Sequence, residues 1–466
     1  MAASDKLVLK KDNLPAPPAL RKLVGPSFII LGLGLGSGEV ILWPYLSSHY
    51  GLGIIWGALI GITIQFFINM EVERYALIYG ESIFVGFVRL FKFLPLWFIL
   101  STFLGFGWPG IGLAGATLIS TILHIESARY VGVVIFVVIG LILTLGKVLY
   151  KTVESLQKFL ISIGVPFIFL LTLYLSSKTD FVELAKGLVG QGDGFTFLPE
   201  GIVLMTFLGA LAYAGAGGNL NLAQSFYVRD KGYGMGKFAD KIRGLFSGDA
   251  DHQEVSLSGT TFEPTEENVS NFKKWWKVVN VEHAMIFWFL GLFTMLMLSL
   301  LAYTTVFGSG ESAEGIGFVI KEASYIASRT LPFFGTLFLL VTGVMLSATQ
   351  LTVLDSTSRI MTENALLLKP DKKFNVSKIY YLILWAQIMF GIVVFMLGFD
   401  QPLILITLGA VFNAFAMFVY IGLILFMNNK VIAKEMRPSI WRNLAMLFAF
   451  VFFGFFSALT IWQFLS

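Results

Sequence analysis

The chain has 466 residues, of which 56% are hydrophobic and 13% charged. Soluble domains carry about 25% charged residues, so a water-soluble globule is excluded and lipid must solvate much of the surface. Cysteine is absent, which excludes disulfides, thiolate catalysis and cysteine-based zinc or iron–sulfur sites. His49, His124, His252 and His283 are scattered and form no paired metal-binding motif.

Residues 1–24 read as a polar tail, with Lys6, Lys10 and Lys11 followed by Pro15, Pro17 and Pro18. No apolar signal segment precedes it. A helix that crosses a bilayer needs roughly 20 mostly apolar residues. Eleven stretches qualify: 26–48, 53–78, 94–123, 130–149, 157–176, 201–228, 281–306, 327–354, 379–398, 402–427 and 442–465. The runs are too long, and alternate too little, for transmembrane strands. The predicted architecture is therefore an all-α integral membrane protein with eleven transmembrane helices. Residues 25–176 form a first five-helix repeat and 201–427 a second, with 442–465 as an eleventh helix. Five helices per repeat is an odd number, so the two repeats enter the membrane in opposite directions.

The loops test the orientation. With the N-terminus in the cytoplasm and the C-terminus outside, five of the 33 Lys and Arg lie outside: Arg129, Lys178, Lys186, Lys321 and Arg329. The rest lie inside, as the positive-inside rule requires. The formal charge of +4 thus reflects topology and gives no reason to expect nucleic acid as a partner. A prokaryotic cytoplasmic membrane is the expected location. The single long loop, 229–278, is hydrophilic and cytoplasmic. It ends in Phe272-Lys273-Lys274-Trp275-Trp276-Lys277, read as an ordinary positive-inside cluster, with an inner-leaflet contact as the alternative. Asn268-Val269-Ser270 and Asn375-Val376-Ser377 match the glycosylation sequon but fall on the cytoplasmic side, so both are read as coincidence.

Glycine interrupts two spans. Span one contains Gly32-Leu33-Gly34-Leu35-Gly36-Ser37-Gly38-Glu39, and span six contains Gly209, then Gly215-Ala216-Gly217-Gly218-Asn219-Leu220-Asn221. Glycine clusters let a helix unwind, and irregular backbone at membrane depth survives only inside protein or along a cavity. The two spans open the two repeats. Discontinuous helices in corresponding positions of inverted repeats point to a transporter's binding site. The bland alternative is that the glycines serve close helix packing. Ser37, Gly38, Gly215, Gly217 and Gly218 are the expected helix-break residues. Glu39 stands near mid-bilayer, where an unpaired charge is costly and a proton or a cation relieves the cost. Asn219 and Asn221 offer amides on the facing break. Gln350, Asp355 and Asn413 are further candidates of lower rank, Asp355 having Arg359 as an alternative local ion-pair partner. Glu71, Glu73 and Arg74 are read as a structural network at the inner end of span two.

At these breaks the chain resembles the Nramp family of divalent-metal transporters, a branch of the group with the LeuT-type inverted-repeat fold. Where that family carries Asp-Pro-Gly-Asn in span one, this chain has Gly36-Ser37-Gly38-Glu39. Where the family carries Gly-Ala-x-x-Met-Pro-His in span six, it has Gly215-Ala216-Gly217-Gly218-Asn219-Leu220-Asn221. Gly25-Pro26 and the layout of spans are also similar, so the resemblance covers nearly the whole chain while its motifs diverge. The resemblance implies a LeuT-type fold with helices 1 and 6 broken. It also implies a metal site formed by the family's Asp and Asn of span one and its Ala carbonyl and Met of span six. Those positions are Gly36, Glu39, Ala216 and Asn219 here. The first carboxylate and the thioether are replaced, and a carboxylate is gained at Glu39. An all-oxygen set of this kind suits hard cations better than soft ones.

The resulting expectation is a secondary active transporter of a small cation, a divalent metal in the family's manner, working by alternating access and coupled to protons through Glu39. It requires no cofactor. A second expectation keeps the fold and changes the cargo to an amino acid or other small organic solute. A third is a membrane sensor that does not transport. An enzyme is disfavoured, because the sequence carries no metal cluster, no nucleophile–histidine pair and no phosphate loop in a suitable context.

Overall fold

The computed structural model describes residues 8–18, 25–145, 149–239, 257–308, 315–370 and 375–465. Long apolar runs find no water for their backbone groups in lipid, so they fold as helices whose hydrogen bonds close within each segment. Among the described residues, ten stretches are long and apolar enough to cross a membrane. They are Pro26–Tyr50, Leu52–Tyr79, Leu94–Leu123, Ala128–Leu145, Lys151–Leu175, Glu266–Val306, Pro332–Leu367, Val376–Met396, Pro402–Lys430 and Ile440–Thr460. The stretch expected at 201–228 is missing from this set because it is divided. Leu204–Ala212 and Gln224–Lys231 are α-helical, residues 213–217 leave the helix, and Gly218–Ala223 forms a 3-10 turn.

Burial sorts the spans. The apolar window of span one is 94% buried and that of span eight 72%, against 33% for spans four and five and 28% for the last helix. Spans one and eight therefore form the inner packing, while four, five and the last present a lipid-facing wall. Leu170, Tyr174, Phe448 and Phe455 are exposed on that wall, as the solvent change from water to lipid permits.

The side predicted to be cytoplasmic is more ordered than its polarity suggests. The helix Glu266–His283 runs without interruption into span seven, so the end of the long loop is an extension of that span. Thr265 caps it by accepting from the Asn268 N–H at 3.3 Å. The tail lies along this helix. Lys10–Lys11 pairs in parallel with Thr260–Thr261, Asn268 Oδ1 accepts from the Leu14 N–H at 3.0 Å, and Trp275 Nε1 donates to the Pro15 carbonyl at 2.6 Å. Trp276 lies under Arg74 at 3.8 Å and Arg442 at 4.7 Å. Phe272, Trp275 and Trp276 thus pack on protein, while Lys273, Lys274 and Lys277 are exposed. Both sequon asparagines act structurally, Asn268 as above and Asn375 by accepting from the Lys378 N–H at 3.0 Å at the start of Val376–Met396.

Candidate functional site

The two glycine clusters behave differently, and one expectation is corrected. Span one does not unwind at Gly36-Ser37-Gly38. It stays helical from Pro26 to Tyr50, with one π turn at Gly38–Leu42. The reason lies in what the missing side chains admit. A side chain at Gly32 would strike Gln157, one at Gly36 would strike Thr349 and Ile111, and one at Gly38 would strike the Tyr213 carbonyl. The glycines of span one serve close approach, and the backbone keeps its own hydrogen bonds. Span six uses glycine for conformation instead. Gly215, Gly217 and Gly218 have φ of 124°, 72° and 49°, values that side chains disfavour.

A real break exposes backbone groups that must find partners. Gln65 of span two serves both sides of it. Its Nε2 donates to the Ala212 carbonyl at 3.0 Å, and its Oε1 accepts from the Gly217 N–H at 2.9 Å. Gln65 is not among the residues singled out from sequence, although a lone amide within an apolar span is itself a signal. Asn413 of span ten adds a second clamp, donating from Nδ2 to the Gly105 carbonyl at 3.0 Å and to the Tyr213 hydroxyl at 2.7 Å. It therefore sits on the break.

The other candidates fall into separate groups. Asn219 donates to Ser101 Oγ at 2.8 Å and Thr102 Oγ1 at 2.9 Å, both of span three. Asn221 donates to the Tyr420 hydroxyl at 3.0 Å. The Oδ1 atoms of Asn219, Asn221 and Asn413 are buried without a partner, and so face the interior as acceptors. Ser37 and Ala216 are buried. Gln350 accepts from the Gly112 N–H at 3.0 Å, just past an interruption of span three at 107–109 that the sequence reading ran through. A cavity of about 10 Å³, room for a single water, lies there between Trp108, Tyr213, Gln350 and Ile406. Asp355 has other work. It accepts from Arg359 at 2.9 Å and from the Tyr380 hydroxyl at 2.7 Å. Arg359 in turn holds Asp230 at 2.7 Å and so ties span eight to the inner end of span six.

Glu39 stands in the π turn, fully buried, and neither carboxylate oxygen has a hydrogen-bond partner. A Cβ added at Gly34 would lie 2.8 Å from Glu39 Oε1 and 2.9 Å from the Gly215 Cα. The carboxylate and the break therefore share the notch that Gly34 leaves open. On its other side Glu39 faces Gly291 of span seven. Glu39 is thus brought to the break, but on the flank of spans two and seven, whereas the amide of Asn219 is turned to span three. Among the described residues, no group of three or more His, Asp or Glu is placed to hold a metal ion.

No family model and no curated protein matches the sequence. Solved structures match the fold. A manganese transporter of Eremococcus coleocola, in a single-substitution mutant, superposes with a TM-score of 0.69 at 13% identity, over 99% of this chain and 91% of the other. MhsT in complex with L-phenylalanine gives 0.55 at 14%, over 93% and 98%. Mhp1, a nucleobase-cation-symport-1 family transporter with bromovinylhydantoin bound, gives 0.53 at 13%, over 94% and 92%. At such identities the likeness defines the architecture, a multi-pass helical membrane protein with the LeuT-type inverted-repeat fold.

Proposed function

We propose that the protein is a secondary active transporter that moves a small cation by alternating access, with proton coupling through Glu39. The observation that carries this reading is the Glu39 carboxylate, buried with both oxygens unpaired beside the open backbone of span six. An uncompensated charge at that depth is unfavourable by several kcal/mol. A carboxyl group that alternates between a proton and a cargo cation is stable in both states, and exchange between them is the chemistry of coupled transport. Charge would come from Glu39, and neutral oxygens from the Ala216 carbonyl and Asn219 Oδ1; Gly36, within intact helix, supplies no open backbone. The manganese transporter of the same fold supports a divalent metal as cargo. The hard-oxygen donor set here favours magnesium, calcium or manganese over softer ions.

Glu39→Gln in proteoliposomes tests the reading. The variant is expected to insert and to unfold at or above the wild-type temperature, because it removes a buried unpaired charge, and to lose cation uptake and its pH dependence. Uptake at the wild-type rate with the wild-type pH profile would end the assignment.

A second reading, an amino acid or other small organic solute, is favoured by one observation: the described residues include no three-ligand acidic or histidine cluster. The L-phenylalanine and hydantoin complexes of MhsT and Mhp1 show that solved structures of this fold hold such molecules. Ligands that bind only the folded state raise the melting temperature. A panel of magnesium, calcium, manganese, amino acids and polyamines should stabilise the wild type through the divalent cations; stabilisation by amino acids alone would replace the first reading with the second.

A further inference from the structure

Below the break, on the side predicted to be cytoplasmic, polar groups gather that the midplane reading does not use. Glu73 of span two is fully buried. Its Oε2 accepts from Gln224 Nε2 at 3.1 Å, and its Oε1 has no partner. Gln224 is itself fully buried, and its own Oε1 is unpartnered. Asn69 lies one helical turn from Glu73, on the same face of span two; it too is fully buried, and both of its amide atoms lack partners.

Glu282 of span seven adds negative charge that is felt at Glu73. Glu282 is held in place by Ser27 Oγ at 2.7 Å and by the Gly25 N–H at 3.3 Å. His283, beside it, meets Ser27 Oγ through Nδ1 at 2.9 Å and stacks on Phe66 and Phe287. Lys231 also acts electrostatically on Glu282. The Lys231 ammonium donates to Glu154 at 2.8 Å, and no ion pair joins a basic side chain to Glu73 among the described residues.

A buried carboxylate with an unpaired oxygen calls for positive charge beside it. The free acceptors here are carboxylate and amide oxygens, which suit a small hard cation and disfavour a soft one. The unpaired oxygens of Asn219, Asn221 and Gln224 follow one another along span six, from the break to this cluster.

We propose that Glu73, Gln224 and Asn69 form a second station for a small hard cation, on the inner side of the break and distinct from Glu39, with Glu282 adding negative charge from span seven. It stands on its own residues and does not require the midplane reading. A cation released from the break would meet it before reaching the cytoplasm.

The test uses the full chain in nanodiscs, with thermal unfolding followed against magnesium, calcium and sodium at constant ionic strength set by choline. The wild type is expected to be stabilised by at least one of the three. Glu73→Gln should weaken the apparent affinity of that effect at least tenfold while unfolding no earlier than wild type without cation. Asn69→Leu should weaken it less; in a Glu39→Gln background, where the midplane contribution is removed, a shift should remain and Glu73→Gln should abolish it. Should Glu73→Gln fail to fold, Glu282→Gln is read in the same way. A full wild-type shift in Glu73→Gln, or loss of the whole shift in Glu39→Gln, overturns the proposal. So does stabilisation by lowered pH alone, with no cation effect, which would mean a proton in place of the cation. Uptake by Glu39→Gln is a separate readout, so the two assignments fail independently.

Discussion

Gly38→Ala is expected to abolish transport and to destabilise the folded protein more than the same change at Gly32. A methyl group at Gly38 is directed into the Tyr213 carbonyl, a backbone atom on the opposite side of the contact. At Gly32 the methyl group meets the amide end of the Gln157 side chain, which has rotatable bonds, rather than backbone. The Tyr213 carbonyl cannot turn aside, because its residue is fixed by the Asn413 clamp and by the turn in which the Gly215 N–H donates to that same carbonyl at 2.7 Å. Overpacking in a tight core costs about 1–3 kcal/mol, and relief here requires the first span to move off the sixth. The measurement is a pair of unfolding curves in nanodiscs, Gly38→Ala against Gly32→Ala, with uptake recorded on both. Equal stability and wild-type uptake for Gly38→Ala would show that the two spans do not meet as described.

Gln65→Leu carries the second large effect. The substitution nearly preserves volume and raises hydrophobicity, so a reading based on lipid solvation alone expects stabilisation. The hydrogen bonds reverse that sign. Leucine leaves both the Ala212 carbonyl and the Gly217 N–H without partners, and a buried unsatisfied polar group costs about 1–3 kcal/mol. The break must then close into helix or collapse onto other donors, and either change removes the open backbone beside Glu39. Gln65→Glu separates the two halves of the clamp, since an ionised carboxylate still accepts from Gly217 but no longer donates to Ala212. The expected order of stability and of uptake is wild type, then Gln65→Glu, then Gln65→Leu. Proteolysis or hydrogen exchange across residues 212–218 checks the cause, with faster exchange expected in Gln65→Leu.

The spans were legible in the sequence because lipid allows so few solutions: an apolar run such as 327–354, too long and too little alternating for a strand, is left with helix. The break in span six was legible for a related reason, since Gly215, Gly217 and Gly218 are needed where φ is positive. Span one carried an equally strong glycine signal with a different cause. Composition does not distinguish a glycine that frees the backbone from one that admits a neighbour, and Gly38 is explained only by the carbonyl across from it. Gln65 and Asn413 show the same limit from the other direction. Each is an isolated amide in an apolar run, visible as unusual, yet its purpose depends on two backbone atoms more than a hundred residues away in one case and on Gly105 and Tyr213 in the other. The helix Glu266–His283 was missed because its polar residues hid a periodicity that buries Phe272, Trp275 and Val279 on one side.

The wide turn at Gly38–Leu42 gives span one a degree of freedom that an unwound segment would not supply. A helix with one surplus residue can pass that residue along its length, each step exchanging hydrogen bonds without losing them. Side chains between the old and new positions then rotate by about 100° around the axis. For Glu39, which stands within that turn, such a step would carry the carboxylate around the axis of span one and change which neighbour it faces while the rod stays intact.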